Sequence, residues 1–323
     1  MLATLGHVAS GLKYLATARR QHASDLRTAK QLAFPPSVSL PRGLEVTWLG
    51  TAGFRFAYQG VVVWIDPYVT RLGFADLVRR RVVEPSAEAV DRWIDRADAI
   101  LVGHTHFDHA MDVPLIARRA ECRVYGSSSL EHLMGLHGLA AQATVVVPHH
   151  DYQVGPFKFH FVPSLHSKLQ LGLRVNYGGE LTCEHLDEMI PQRYRCGQVW
   201  GIALEVAGMR FYHQGSADLL DDEIRDRDMD VFLCGIAGRR FTPHYVQRVV
   251  KALAPRLIVP SHFDDFFSPL GGEPKLSFNI NLTAFADEVH AASHELPIGI
   301  LEVGRPIGGP IAGLPVVATP DSH

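Results

Sequence analysis

Short apolar runs, each stopped by glycine, proline or a polar cluster, set the rhythm of this chain. Glu45-Val-Thr-Trp-Leu49 and Phe54-Arg-Phe-Ala-Tyr58 read as strands, and Gln59-Gly60 links the second to Val61-Val-Val-Trp-Ile-Asp66. A two-residue link ending in glycine suits a tight hairpin, because glycine takes a positive φ without steric cost. Ala99 to Gly103 is a short unbroken apolar run, the pattern of a strand covered on both faces. Phe157-Lys-Phe-His-Phe-Val162 alternates instead, which predicts a half-buried strand ending at Pro163. Between them the pattern predicts helices over 112–119 and 128–136 and a strand over 122–125.

The second half repeats this style. Gly201 to Val206 and Met209 to His213 form another hairpin across Ala207-Gly208. Strands follow over 231–234 and 257–259 with a helix over 243–253 between them, then a helix over 282–294 and a strand over 298–303. A hairpin leading into β/α units in each half predicts an α/β fold of two mixed sheets face to face with helices outside, a four-layer αββα sandwich. This body is expected over residues 44–310, with a tail over 311–323. Residues 1–43 read as a helical arm ended by Pro35-Pro36 and Pro41-Arg-Gly43. Its Leu2, Leu5, Val8, Leu12 and Leu15 recur at helical spacing, so that face is expected to pack on the body or on a second copy. A homo-oligomer held through the arm is therefore an open expectation. Too few cations flank this face to favour a membrane surface.

Composition narrows the function classes. With 323 residues and 47% hydrophobic content the chain can bury a full core. Its 31 basic and 34 acidic residues give a net charge of −3, without the basic stripe that nucleic-acid binding needs, so no nucleic-acid partner is expected. Cys122, Cys183, Cys196 and Cys234 are widely spaced and make no disulfide framework. No run approaches the roughly 20 apolar residues of a membrane helix, and the first residues lack a basic start and an unbroken apolar centre. The expected location is cytoplasmic.

The chemistry concentrates in Gly103-His-Thr-His-Phe-Asp-His-Ala-Met-Asp112. His104 and His106 stand two apart at a strand end, so both imidazoles project to one side. Asp108 and His109 fall where the chain turns towards the next helix. Imidazole and carboxylate are suitable zinc ligands. The bland alternative, in a chain with 18 histidines, is an exposed histidine cluster without a ligand.

His-x-His-x-Asp-His after a buried strand resembles the principal motif of the metallo-β-lactamase superfamily, and the resemblance spans about residues 44 to 305. Further motifs match in order: Asp66 in Trp64-Ile-Asp-Pro-Tyr68, His166 in Pro163-Ser-Leu-His-Ser167 and His262 in Val259-Pro-Ser-His-Phe263. One motif departs. Where the family has Gly-Asp-Thr with a bridging aspartate, this chain reads His213-Gln-Gly-Ser-Ala-Asp218, which puts Ser216 in that place. Asp218 is the favoured bridge, and a looser or single-metal site is the alternative. The resemblance then implies two divalent ions, zinc or else manganese. His104, His106 and His166 would hold one and Asp108, His109 and His262 the other, with Asp218 between them. Asp66 would sit behind the ligands and fix an imidazole or the Asp108 loop. A metal-activated water would attack, and Asp108 or a metal-bound water would help protonate the leaving group.

Val199-Trp-Gly201 and Leu49-Gly-Thr-Ala-Gly53 are similar to the branch that includes L-ascorbate-6-phosphate lactonase and N-acyl-phosphatidylethanolamine phospholipase D. The expected activity is hydrolysis of an ester, lactone or phosphodiester in a small molecule or lipid headgroup. A nuclease of the same fold and a non-catalytic metal-binding protein are the other classes. Substrate choice is expected to lie with residues 168–198, which carry His185, Arg193, Tyr194 and Arg195, and with Arg240 and His244. Arginine suits a phosphate or carboxylate, while a solvated loop face, and a helix cap by Thr242 ahead of Pro243, are the plainer readings.

Overall fold

The first hairpin forms as its pattern predicts. Strands β1 (Glu45–Trp48), β2 (Phe54–Tyr58) and β3 (Val61–Ile65) pair antiparallel in sequence. Gln59 and Gly60 both take positive φ, 49° and 77°, the condition for a turn whose twist matches its strands. Strands β4 (Ala99–Leu101), β5 (Arg123–Gly126) and β6 (Ala143–Val145) then add in parallel, and β13 (Pro306–Gly308) closes the other edge beside β1. The computed structural model describes residue 17 and residues 20–35, 39–169, 173–272, 275–277 and 280–308.

A second sheet has the order β12-β11-β10-β9-β8-β7. It comprises β7 (Tyr152–Val154), β8 (Phe157–Ser164), β9 (Val199–Val206), β10 (Met209–Gln214), β11 (Val231–Gly235) and β12 (Ile258–Ser261). The β9–β10 turn repeats the device of the first hairpin, with Ala207 and Gly208 at φ 54° and 77°.

Alternation decides which core each residue enters. Val63 and Ile65 of β3 join Phe54, Phe56, Phe159, Phe161 and Ile202 between the sheets. Val62 and Trp64 of the same strand face outward onto Ile116 of α5 (Val113–Ala120) and Leu130 and Leu133 of α6 (Ser128–Leu136). Both faces of β3 are covered, which is why its sequence is apolar without interruption. Helices α7 (Tyr245–Leu253) and α8 (Leu282–Ala292) bury Tyr245, Val249, Phe285 and Val289 against the second sheet's cluster. The result is the predicted arrangement of two packed sheets flanked by helices.

Residues 20–31 form helix α1, which docks on the start of α8. Asp25 accepts from the Thr283 backbone N–H at 2.9 Å, and the Ser24 and Thr28 hydroxyls bond the Thr283 hydroxyl. The apolar face predicted over Leu2 to Leu15, and the tail over 311–323, lie outside the described residues. Several boundaries differ from expectation: the strand expected to end at Pro163 continues to Ser164, and the helix expected over 243–253 begins at Tyr245. The run over 298–303 makes isolated bridges at Ile298 and Ile300 only, and the strand that seals β1 is Pro306–Gly308. The final helix ends at Ala292, where Ser293 takes an extended φ of −155°.

Among the described residues no helix is long and apolar enough to cross a membrane. The ends of β3, β4, β8 and β12 carry Asp66, His104, His166 and His262, so both sheets contribute to one edge. Backbone bonds tie the sheets there: Trp200 N–H donates to the Gly103 carbonyl at 2.8 Å and His262 N–H to the Thr51 carbonyl at 2.7 Å.

Candidate metal centre

The histidine run leaves β4 under tight constraint. Gly103 donates its N–H to Asp66 Oδ1 at 2.6 Å, and a Cβ at position 103 would stand 3.0 Å from the other carboxylate oxygen. Glycine therefore lets the backbone reach the carboxylate. His104 and His106 follow, and the short helix α4 (Phe107–Ala110) presents Asp108 and His109. Ligating atoms of His104, His106 and His166 all lie within 4.8 Å of one another, and so do those of Asp108, His109 and His262. The two groups are contiguous, because the rings of His104 and His109 are 3.8 Å apart.

Outer partners fix which nitrogen His106, His166 and His109 turn inward. His106 donates from Nε2 to the Asn176 carbonyl at 2.9 Å, and His166 donates from Nδ1 to the Ser167 carbonyl at 2.8 Å. His109 Nδ1 donates to Asp66 Oδ2 at 2.8 Å, leaving Nε2 for a ligand. The unprotonated Nδ1 of His106 then stands 3.1 Å from His104 Nε2. Nδ1 of His104 has no partner and is buried. His262 Nε2 meets Asp108 Oδ2 at 3.2 Å. Inward-facing lone pairs from three imidazoles beside an acceptor-only carboxylate are the donor set of a cation such as zinc, so the residues fit a metal.

Electrostatics agree with that reading. Burial pushes His104 well below the ordinary imidazole value, with the neighbouring histidines adding to it. Burial likewise takes His106 down to about 4 and His166 to about 3. All three rings are therefore neutral at pH 7, the state that binds metal. Burial opposes the charge on Asp108, but His109 and His262 outweigh it and hold the carboxyl well below its usual range. His109 is the exception among the rings. Burial lowers it, and the Asp66 and Asp108 carboxylates more than compensate, so its value is raised.

Asp66 stands behind the two groups, fully buried, bonded to both the Gly103 N–H and the His109 ring. Asp218, the expected bridge, is in neither group. Its carboxylate accepts from the Leu219 N–H at 2.9 Å and lies 3.7 Å from an Arg248 nitrogen on α7. Ser216 accepts from the Ser167 N–H at 3.2 Å, next to the His166 ligand. Asp218→Asn should accordingly leave the bound metal per chain unchanged within the error of elemental analysis, whereas a bridging carboxylate would lose one ion.

The expected substrate residues are scattered. Arg193 pairs with Glu188 and reaches Cys183 Sγ at 3.2 Å. Arg240 lies over the Phe241 ring at 4.6 Å and shares with His244 a surface recess lined by Arg239, Pro243, Glu288 and Ala291. No member of either metal group lines that recess. His244 itself is the residue before α7, in a left-handed conformation, so Thr242 does not cap the helix.

Several contributors carry no sequence signal. Asn176 and Ser167 orient two ligands through backbone carbonyls, which any residue type supplies. Thr105, between the first two histidines, is buried and ties the run to the 173–198 segment, from its N–H to the Cys196 carbonyl at 2.9 Å and from its hydroxyl to the Arg195 carbonyl. The segment expected to choose the substrate thus braces the histidine run.

Comparison with known proteins bears on this geometry. Among curated proteins, the UPF0173 metal-dependent hydrolase of Myxococcus xanthus (strain DK1622) is 28% identical over 241 residues, covering 72% of this chain and 74% of its own. That of Thermococcus onnurineus (strain NA1) is 24% identical over 238 residues, covering 72% and 89%. Among solved structures, Igni18, a metallo hydrolase of the archaeon Ignicoccus hospitalis, gives a TM-score of 0.52 at 18% identity, covering 82% of this chain and 97% of its own. CmlA, a diiron beta-hydroxylase of Streptomyces venezuelae, also gives 0.52, at 13% identity, covering 83% and 55%. The shared fold therefore does not select the reaction. Residues 45–262 match the family model described as the beta-lactamase superfamily domain, and the chain belongs to the metallo-β-lactamase superfamily.

Proposed function

We propose that the protein is a metal-dependent hydrolase that holds two divalent cations, zinc by the preference of imidazole, and cleaves an ester, lactone or phosphodiester bond in a small molecule or lipid headgroup. The observation that carries the reading is the pair of adjacent three-residue groups with inward-facing donor atoms. Bound divalent cations there supply an acidified water and Lewis acidity towards the attacked group. His104, His106 and His166 stay neutral, and the Asn176 and Ser167 carbonyls fix the direction of the last two, so little reorganisation of those rings is needed when a ligand enters. Asp108 rests ionised, which makes its carboxylate a proton acceptor first and a donor to the leaving oxygen second. In the ester case the hydroxyl of water goes to the acyl carbon and its proton to the departing alcohol oxygen, so the acyl–oxygen bond breaks without any redox change. The choice among the three bonds rests on the resemblance of the 199–201 and 49–53 runs to the lactonase and phospholipase branch.

Metal analysis combined with a panel of esters, lactones and phosphodiesters tests the proposal. Two ions per chain and turnover of at least one class are expected. A second reading, metal binding without catalysis, draws on the place of Ser216 and on Asp218 facing Arg248. Full metal occupancy with no turnover across the panel would favour it and overturn the hydrolase.

A further inference from the structure

The two sides of the metal centre have different walls. Beside His106 and His166 stand backbone carbonyls and the Tyr177 ring, 6.5 Å from that of His106, whereas beside His262 Phe266 begins a row of apolar rings. Phe266 meets the His262 ring edge-on at 5.6 Å and packs on Phe267 at 4.5 Å. Phe267 in turn meets Phe74, the first residue of helix α2 (Phe74–Arg79), at 5.4 Å. Phe107, which precedes the ligand Asp108, backs Phe266 and Phe267 at 6.3 and 6.4 Å. Exposure rises along this row. Phe107 is buried, Phe266 and Phe267 are half-buried, and Phe74 is 61% exposed. Val78, one helical turn beyond Phe74, continues the same face in the open.

Single exposed apolar residues need no explanation, but a contiguous apolar row does. This row is closed at a metal ligand and open to solvent at its far end, which is the shape of a subsite. Aromatic rings bind apolar matter through area and dispersion, and the Asp265 carboxylate beside them is taken up by the Phe267 backbone N–H and the Ser268 hydroxyl. Resting on the hydrolase reading, the geometry points to a substrate that carries a linear apolar chain of several carbons. The chain lies along Phe266, Phe267 and Phe74, with the bond to be cut over the two metal groups. The continuity of the row with His262 argues for a substrate moiety over a separate partner.

Calorimetric titration of the metal-loaded protein with acetate and with decanoate, both simple carboxylates, reads the subsite without needing turnover. Decanoate should bind at least about a hundredfold tighter, from about threefold for each methylene the wall covers. Phe74→Ala and Phe267→Ala should each shrink that gap at least about fivefold, with metal content reporting that the variant is folded. Equal affinity for the two acids, or an unchanged gap in both variants, overturns the proposal. So does dissociation of a dimer by Phe74→Ala with decanoate binding intact, which would give the face to a second copy. The hydrolase panel is separate: no turnover removes the hydrolase while the titration still decides the wall. Turnover with no chain preference in the titration keeps the hydrolase and removes the wall.

Discussion

Replacing His104 by alanine should strip the metal and abolish turnover together, with a loss well beyond the roughly 100-fold that removing an outer partner of a metal ligand costs. His104 touches both groups, 3.1 Å from His106 Nδ1 and with its ring 3.8 Å from that of His109, so its loss opens the first site and unseats the second. Elemental analysis after dialysis, alongside the rate on whichever substrate the panel identifies, checks this. Retention of both metal and rate would remove the assignment. The same geometry sets the response to acid. Protons compete with metal for a ring only as the pH falls towards that ring's own value. For His106 that value is about 4 and for His166 about 3, so the first group should keep its ion in mild acid. His109 is raised above the ordinary 6.5 by the Asp66 and Asp108 carboxylates, so protons compete for the second group at a higher pH than for the first, and it should lose its ion first on acidification. A pH series of metal content resolves the two steps.

Asp66→Asn should cost about 10- to 100-fold in metal affinity although Asp66 is no ligand. The carboxylate accepts from Gly103 N–H with one oxygen and from His109 Nδ1–H with the other. An asparagine retains one acceptor and places N–H donors in the remaining position. If its oxygen keeps Gly103, its amide faces His109, and the ring must move its proton to Nε2, the atom meant for the ligand. Placement matters as well as the acceptor set: Asp66→Glu keeps both oxygens but adds a methylene in a fully buried site, and should fail for lack of room. Competition with a fluorescent chelator measures the affinity. A variant that binds metal as tightly as the parent would show that the His109 tautomer is set elsewhere.

The parts of this protein that were legible in the sequence are those governed by local rules. Hairpin turns at Gln59-Gly60 and Ala207-Gly208 follow from backbone sterics, and both form with positive φ at each central residue. The histidine run was readable because a strand end places alternate residues on one side. His166 and His262 were findable only as members of an ordered set, since neither local stretch marks a ligand. Asp218 stands outside both groups and its carboxylate faces Arg248, thirty residues further on, an approach that no local pattern announces. The Asn176 and Ser167 carbonyls escaped notice because a backbone acceptor has no residue type. The aromatic row was invisible for a third reason: Phe74, Phe107, Phe266 and Phe267 come from three distant segments, and only folding brings them into line.

The six donors belong to different layers. His104, His106, Asp108 and His109 hang from the first sheet, and His166 and His262 from the second. An ion held by all three members of either group is thus also a rivet between the halves of the sandwich. Its binding free energy adds to the cohesion of the whole molecule by mass action. Starving the chain of metal then loosens the joint that shapes the cleft, so catalysis and mechanical integrity rise and fall as one property.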